Sequence, residues 1–268
     1  MIYIMTQAGH GRDISEDTVL VGKKLYTNVT DTVEIPDEGF ICIADGVGGN
    51  NAGEVASSFV LEALTCHRWI DDSSLTDEDS LRDEGSLAYD ESWTDDSVMR
   101  NRLIDINRRL ITMSKKDSKL AHMATTLSGV YIKDKELKVI HVGNTRVYAM
   151  QGHYLKQLTS DHTVVNFLRS LGRTEEAEAC SKNEITSCFG GGDEKLLSKL
   201  HIQSAKTVKT LLLTSDGIHE YVSIDELEDI LNLDIPNSEK CIALKEAALD
   251  AGSTDDMTAV LVCMRDCE

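Results

Sequence analysis

The chain has 268 residues, and its 46 acidic and 27 basic residues give a formal net charge of -19. This charge disfavours nucleic acid and anionic membranes as partners, and the length favours one α/β or α+β domain over two. Seven cysteines without a C-x-x-C pair, and no apolar stretch of about 18 residues, predict a cytoplasmic protein with reduced thiols. We expect a monomer with a single domain over residues 1–268.

Short apolar runs with β-branched residues predict several strands. They lie at residues 40–45, 126–132, 137–142, 146–150, 210–214 and 258–264. The second, third and fourth runs follow one another across short polar links, so we predict that they form an antiparallel meander.

Two segments carry apolar residues at helical spacing and are predicted to be amphipathic helices packed on a sheet. In residues 53–70 these positions are Val55, Phe59, Ala63, Cys66 and Trp69 or Ile70. In residues 97–116 they are Met99, Leu103, Ile106, Leu110 and Met113.

Two further regions are irregular. Residues 71–96 hold eleven acids and a single base, which predicts a mobile acidic loop. Residues 159–207 contain a short helical pattern followed by the glycine run 190–192. This second region is predicted to be a flap near a site, or alternatively only a connection.

Acidic residues recur where an apolar run meets a turn. They are Asp45 in IADG, Asp216 in LLLTSDG, Asp255 and Asp256 in GSTDDMT, and the pair Glu16 and Asp17 in RDISED. If the fold brings these ends together, unit charges about 4 Å apart repel by about 4 kcal/mol at an effective dielectric of about 20, and cations become necessary. Oxygen ligands favour Mg²⁺ or Mn²⁺ over Zn²⁺. The alternative is that each Asp-Gly is an ordinary turn and the acids never meet.

Rival motifs fail on inspection. The glycines at 46–51 break the dinucleotide pattern G-x-G-x-x-G at its last position, and neither G-x-x-x-x-G-K-[ST] nor G-x-S-x-G occurs. His219-Glu220 begins like the zinc motif H-E-x-x-H, but the fifth residue is Ser223.

An ordered set of motifs spans nearly the whole chain. They are R-x-x-x-E-D at 12–17, ADGVGGNNAGEVAS at 44–57, TTL at 125–127, GNTR at 143–146, LTSDHT at 158–163, NEITSCFGGGDE at 183–194, SDG at 215–217 and GSTDDMT at 252–258. This set resembles the type 2C, metal-dependent Ser/Thr protein phosphatases (PPM-type), especially the compact bacterial kind. The resemblance implies an α+β fold, a four-layer α/β/β/α sandwich of two antiparallel sheets flanked by helices, with metal ions in a cleft at one end.

The resemblance also implies a metal site for two Mn²⁺ or Mg²⁺ ions. Asp45 would bridge the ions, the Gly46 carbonyl would bind one of them, and Asp216 and Asp255 would complete the first site.

The same resemblance implies roles for the N-terminal acids and for an arginine. Glu16 would serve the second ion, mostly through water, and Asp17 would hydrogen-bond to metal-bound water. Arg12 would bind the substrate phosphate, for which a planar bidentate donor is suited. The implied reaction is hydrolysis of phosphoserine and phosphothreonine in protein substrates by a metal-bridging hydroxide, without a phospho-enzyme.

The chain departs from the family pattern at several positions. Asn144 stands where the family has an aspartate, and Glu220 is one methylene longer than expected, so we predict that a third ion is bound weakly or not at all. Asp256 replaces an asparagine, and we expect it to be a solvated side chain rather than an aid to ion binding. Val47 occupies a position where some members have a histidine.

The general acid is therefore unassigned. His10 and His162 are substitutes by residue type alone, and water is the remaining proton donor. Two functional alternatives stay open at this point: a pseudophosphatase that binds phosphoproteins without turnover, and a hydrolase of small phosphorylated molecules.

Overall fold

The structure is a computed structural model that describes residues 1–47, 52–66, 93–134, 136–206 and 208–264. The described strands are β1 (Ile2–Gln7), β2 (Asp17–Gly22), β3 (Lys24–Tyr26), β4 (Val29–Val33), β5 (Glu38–Val47), β6 (Ala124–Thr125), β7 (Leu127–Lys133), β8 (Glu136–Val142), β9 (Arg146–Gln151), β10 (Tyr154–Gln157), β11 (Phe189–Gly190), β12 (His201–Ala205), β13 (Thr210–Thr214) and β14 (Met257–Cys263). The described helices are α1 (Ala52–Thr65), α2 (Asp96–Lys116), α3 (Val164–Ser170), α4 (Thr174–Ala179), α5 (Asp216–His219), α6 (Ile224–Asn232) and α7 (Asn237–Asp250).

The strands form two antiparallel sheets that pack face to face. One sheet has the order β10-β9-β13-β14-β1-β4, and the other has the order β11-β6-β5-β7-β8-β12, with β2 paired to β5 and β3 paired to β2. Apolar side chains from both sheets fill the layer between them. Helices α1 and α2 cover the outer face of the second sheet, and α5, α6 and α7 cover that of the first. The predicted four-layer α/β/β/α sandwich is confirmed.

Strand β5 shows why the sequence folds this way. Side chains alternate between the two faces of a strand, and both faces of β5 are buried. Phe40 and Cys42 pack under the helices, whereas Ile41 and Ile43 point into the layer between the sheets. The apolar run FICIA therefore ends where the sandwich ends, and Asp45 is the first ionisable residue at that edge.

The predicted meander is only half correct. Strands β7 and β8 pair with each other, but β9 pairs with β10 and β13 in the other sheet. Between β8 and β9 the chain passes through Gly143, whose φ of 108° is readily adopted only by glycine. The periodicity of an apolar strand does not reveal its partner, because strands in both sheets are buried on both faces.

The two predicted helices are present, with one correction. In α2 the predicted residues Met99, Leu103, Ile106 and Leu110 are buried, and the side chain of Asp95 caps the helix by accepting hydrogen bonds from two backbone N–H groups. In α1 the buried face is Ala52, Gly53, Ala56, Ser57, Val60, Leu61 and Leu64. The predicted positions Val55, Phe59 and Ala63 are only partly buried and Cys66 is exposed, so the predicted face is adjacent to the buried one. Trp69 and Ile70 lie outside the described residues.

The irregular regions are described in part. Most of the predicted acidic loop lies outside the described residues, and its last two acids, Asp95 and Asp96, belong to the start of α2. Region 159–207 contains α3 and α4, but its C-terminal part includes β12, which pairs with β8. That end of the region therefore belongs to the sheet.

Across the described ranges, none of the helices combines the length and the apolar character that crossing a bilayer requires.

Candidate active site

Four of the predicted acids come together at one end of the sandwich. Asp17 begins β2 and lies directly opposite Asp45 near the end of β5. Asp216 follows β13 and Asp255 precedes β14, and these two strands are neighbours. The charge on Asp45 interacts with Asp216, Asp17 and Asp255, so the acids do meet.

The TTL motif holds the backbone of Asp45. The Asp45 N–H donates to the Thr126 hydroxyl at 3.0 Å, and the Asp45 carbonyl accepts from the Thr126 N–H and the Thr125 hydroxyl, each at 2.9 Å. Both backbone polar groups of Asp45 are thus hydrogen-bonded, and these bonds leave its carboxyl group free to interact with the other acids. Burial, followed by repulsion from Asp216 and Asp17, raises the pKa of Asp45 well above its ordinary value.

Asp216 is 8% exposed and begins helix α5. The Asn144 side-chain amide donates to Asp216 Oδ2 at 2.9 Å, and the Asp216 carboxyl is close enough to Asp45 to share a proton with it. Burial is the main cause that raises the pKa of Asp216 to about 6, and repulsion from Asp255 is the next. Ionisation of both carboxyl groups is therefore unfavourable unless a cation lies beside them.

Asp17 is the most deeply buried of the four acids, with 1% exposure. Neither of its carboxyl oxygens has a hydrogen-bond donor within bonding distance in the described part of the chain. Burial raises the pKa of Asp17 to about 8, although the nearby Ser215 and Thr258 hydroxyls oppose part of that rise. A buried carboxyl group without a partner is costly, so it indicates a missing ligand.

Close backbone contact positions Glu16 beside the end of β5. The Gly46 N–H donates to the Glu16 carbonyl at 3.1 Å. A Cβ atom on Gly46 would lie 2.1 Å from the Gly53 carbonyl oxygen, and one on Gly53 would lie 2.4 Å from Glu16 Oε1. Glycine is therefore required at both positions. Burial raises the pKa of Glu16, and the positive charge of Arg12 partly opposes this rise.

Arg12 lies at the rim of the acid cluster. Its guanidinium Nη1 is 3.1 Å from Asp256 Oδ2 and 3.5 Å from Glu16 Oε2, and its Nη2 is 3.3 Å from Asp255 Oδ1. The expectation that Asp256 is solvated is wrong, because this residue is 3% exposed. Its burial could not be predicted from the sequence, because it depends on hydrogen bonds to a loop more than 200 residues away.

Comparison with known proteins assigns the family. The sequence model of the protein phosphatase 2C family matches residues 30–263. The chain belongs to this family. It is 32% identical over 252 residues to protein phosphatase PhpP of Streptococcus pneumoniae, covering 92% of this chain and 95% of that one.

Solved structures support the same assignment. The serine/threonine phosphatase Stp1 of Staphylococcus aureus matches with a TM-score of 0.74 and 26% identity, over 99% of this chain and 95% of that one. The catalytic domain of the serine/threonine protein phosphatase PstP, solved with two manganese ions, matches with a TM-score of 0.70 and 25% identity, over 99% and 100% of the two chains.

Two other family motifs build the support behind the acids. In GNTR and LTSDHT, Arg146 and Asp161 form a buried bidentate ion pair, with Nη2 2.6 Å from Oδ2. His162 Nδ1 accepts the Gly143 N–H at 3.2 Å, and burial together with the adjacent His141 lowers the pKa of His162 to about 3. His162 is therefore neutral near pH 7 and is a poor proton donor.

A cleft of about 220 Å³ opens beside the acids. It is lined by Lys182, Asn183, Asp216, Glu220, Tyr221 and Asp255. Lys182 is exposed and reaches Glu220, with 3.6 Å between its Nζ and Oε2. Lys182, Asn183 and Tyr221 were not predicted as site residues, although Asn183 begins the motif NEITSCFGGGDE and region 159–207 was predicted as a flap near a site. No spacing rule links residues 182 and 183 to the SDG turn.

Proposed function

We propose that the acid cluster of this serine/threonine phosphatase holds two divalent cations, and that the chain hydrolyses phosphoserine and phosphothreonine in proteins. The observation that carries the proposal is the convergence of buried acids whose pKa values rise through burial and mutual repulsion. Such a cluster is stable in its ionised form only with cations beside it.

The donor set fits Mn²⁺ or Mg²⁺, because all its ligands are oxygens. Asp45 would bridge the two ions, aided by the Gly46 carbonyl, and Asp216 and Asp255 would complete the first site. Within the described ranges no three acidic, histidine or cysteine side chains are placed so that together they could hold an ion. Binding would therefore draw Asp216 away from Asn144 and Asp255 away from Arg12.

The remaining predicted residues would contact water molecules and the substrate. Glu16 would act on the second ion through water, Asp17 would accept a hydrogen bond from water, and Arg12 would bind the phosphate. Bound ions of this kind supply two effects, acidification of water and neutralisation of phosphoryl charge. Water would add to phosphorus and release a proton to solvent, and the bond to the serine or threonine oxygen would break. That oxygen would take a proton from solvent, since Val47 and neutral His162 offer none.

The test of this proposal is metal-dependent turnover. We expect the protein to release phosphate from phosphoserine and phosphothreonine peptides with Mn²⁺ and to lose this activity in EDTA. Binding without turnover under both conditions would instead favour the pseudophosphatase, and a preference for nucleotides or sugar phosphates over phosphoproteins would favour the small-molecule hydrolase. The names of the relatives favour neither alternative.

A third ion is expected to bind weakly or not at all. The Asn144 side-chain amide donates its N–H to Asp216. A ligand of a third ion at position 144 would instead have to present an oxygen lone pair in that direction. We expect Asn144→Asp to add a cation site, because it places a second carboxyl beside an acid that is only 8% exposed. Calorimetric titration with Mn²⁺ should give two ions for the wild type and three for the variant, and equal stoichiometries would contradict this account.

We further propose that residues 1–268 form one phosphatase domain, in which region 159–207 contributes a flap to the cleft through Lys182 and Asn183. The net charge of -19 supports a monomer that binds neither nucleic acid nor membranes. The seven cysteines without a C-x-x-C pair support a role in the cytoplasm, where a protein phosphatase would act in signalling. Light scattering should give a mass near 29.6 kDa, and a dimer would contradict the monomer.

A further inference from the structure

Asp256 is buried between the start of β14 and the loop that joins β1 to β2. Its Oδ1 accepts the Gly9 N–H at 2.7 Å, and its Oδ2 accepts the Glu16 N–H at 2.7 Å. The Arg12 guanidinium donates to the same Oδ2 at 3.1 Å. One carboxyl group therefore binds the loop on both sides of Arg12 and the guanidinium itself.

The loop fits tightly against this end of β14. A Cβ atom on Gly9 would lie 2.4 Å from the Thr254 carbonyl oxygen, and the His10 N–H donates to that same carbonyl at 3.0 Å. The position of the Arg12 backbone is thus fixed by Asp256 and its neighbours.

The side chain of Arg12 lies closest to Asp256, at 3.1 Å, whereas Asp255 and Glu16 lie 3.3 Å and 3.5 Å from it. It is 43% exposed, whereas the side chain of Asp256 is 4% exposed. A guanidinium carries five N–H donors in a rigid fork, so its contacts with these three acids still leave donors for phosphate oxygens. A long exposed arginine would otherwise sample many rotamers.

An amide could not replace the carboxyl group here. Three donors converge on two acceptor oxygens, and asparagine has one oxygen and an NH₂ group. In an asparagine at this position the NH₂ would face a backbone N–H or the guanidinium, and at least one of these bonds would be lost.

We propose that Asp256 is a positioning residue that orients Arg12 for the substrate phosphate. This inference rests on the proposed function, in which Arg12 binds that phosphate. It assigns to Asp256 an action through Arg12, distinct from the metal-ligand role proposed for its neighbour Asp255.

A double-mutant cycle tests the proposal. With a phosphopeptide and saturating Mn²⁺, Asp256→Asn should raise KM roughly tenfold while kcat changes by less than about threefold. In the Arg12→Ala background the same substitution should change KM by less than about twofold. Asp13→Asn removes an exposed charge from the same loop and should leave KM unchanged.

An equal loss in both backgrounds would overturn the proposal, because the role of Asp256 would then be to hold the loop alone. A loss of Mn²⁺ affinity in Asp256→Asn, measured by calorimetry, would overturn it too, because the effect would then run through the ion site.

A measurement on the wild type keeps the proposal testable if Asp256→Asn does not fold. ¹⁵N NMR of arginine side chains, assigned with Arg12→Lys and Arg169→Lys, should show slower guanidinium rotation for Arg12 than for the exposed Arg169. Equal rotation would refute the restraint. If the wild type hydrolyses no phosphopeptide, the proposed function fails, whereas the NMR comparison still decides whether Asp256 orients Arg12.

Discussion

Replacing Asp45 with asparagine is expected to reduce metal-dependent kcat/KM by roughly 10³-fold or more. Asp45 is the acid that interacts with Asp216, Asp17 and Asp255 together, and it would bridge both ions. Asparagine keeps one carbonyl oxygen and loses the charge, so it cannot serve two cations. The backbone bonds to Thr125 and Thr126 do not involve the side chain and should keep the fold intact.

The control for this variant is Asp105→Asn. Asp105 lies on α2 and forms an exposed ion pair with Arg109 one helical turn away, an interaction that contributes little. The activity of the Asp105→Asn variant should stay within about twofold of the wild type. In EDTA, Asp45→Asn should melt at a higher temperature than the wild type, because a half-buried carboxyl that repels its acidic neighbours is removed. Activity above about a tenth of the wild type would refute the bridging role of Asp45.

The strand ends could be predicted from the sequence, but their convergence could not. Asp45 and Asp216 were recognisable because an apolar run stops at an acid. The register that sets Asp17 opposite Asp45 arises from pairing between β2 and β5, and β2 was itself not predicted. The burial of Asp256 likewise depends on a loop near the other end of the chain.

Helix α1 shows why one face was assigned wrongly. A search for large apolar residues selects Val55 and Phe59, yet in the first two turns of α1 the buried residues are small ones, Ala52, Gly53, Ala56 and Ser57. Gly53 packs on Gly46, and the Ser57 hydroxyl lies 3.0 Å from the Thr18 hydroxyl. The helix approaches this closely because its contact face is small, and hydrophobic periodicity gives such residues little weight.

The metal-free protein is expected to lose stability as the pH rises from 6.5 to about 8. Burial raises the pKa of Asp17 to about 8 and that of Asp45 well above its ordinary value. Because these pKa values are raised on folding, the folded state keeps protons that the unfolded chain releases near pH 4. Each such carboxyl therefore stabilises the protein fully at low pH and loses its contribution as the pH rises through its folded pKa.

Buried histidines have the opposite effect on stability, and this effect is confined to pH values below about 6.5. Burial lowers the pKa of His141 to about 4 and that of His162 to about 3, and it lowers the pKa of His219 well below its usual value. Below pH 6.5 these histidines bind protons in the unfolded chain but stay neutral in the folded protein. Their contribution to stability therefore falls with acidification. This loss opposes the gain from the protonated acids, whereas above pH 6.5 the acids act unopposed by these histidines.

Urea unfolding in EDTA at several pH values measures the effect. Between pH 6.5 and 8 the free energy of unfolding should fall by up to about 1.4 kcal/mol per pH unit for each carboxyl that stays protonated only in the folded state. Saturating Mn²⁺ should abolish this slope, because the ions bind ionised carboxylates, and Asp17→Asn should reduce it without metal. A stability that rises from pH 6.5 to 8 in EDTA would show that the acids are ionised at no cost, and the physical reason for placing cations between them would be lost.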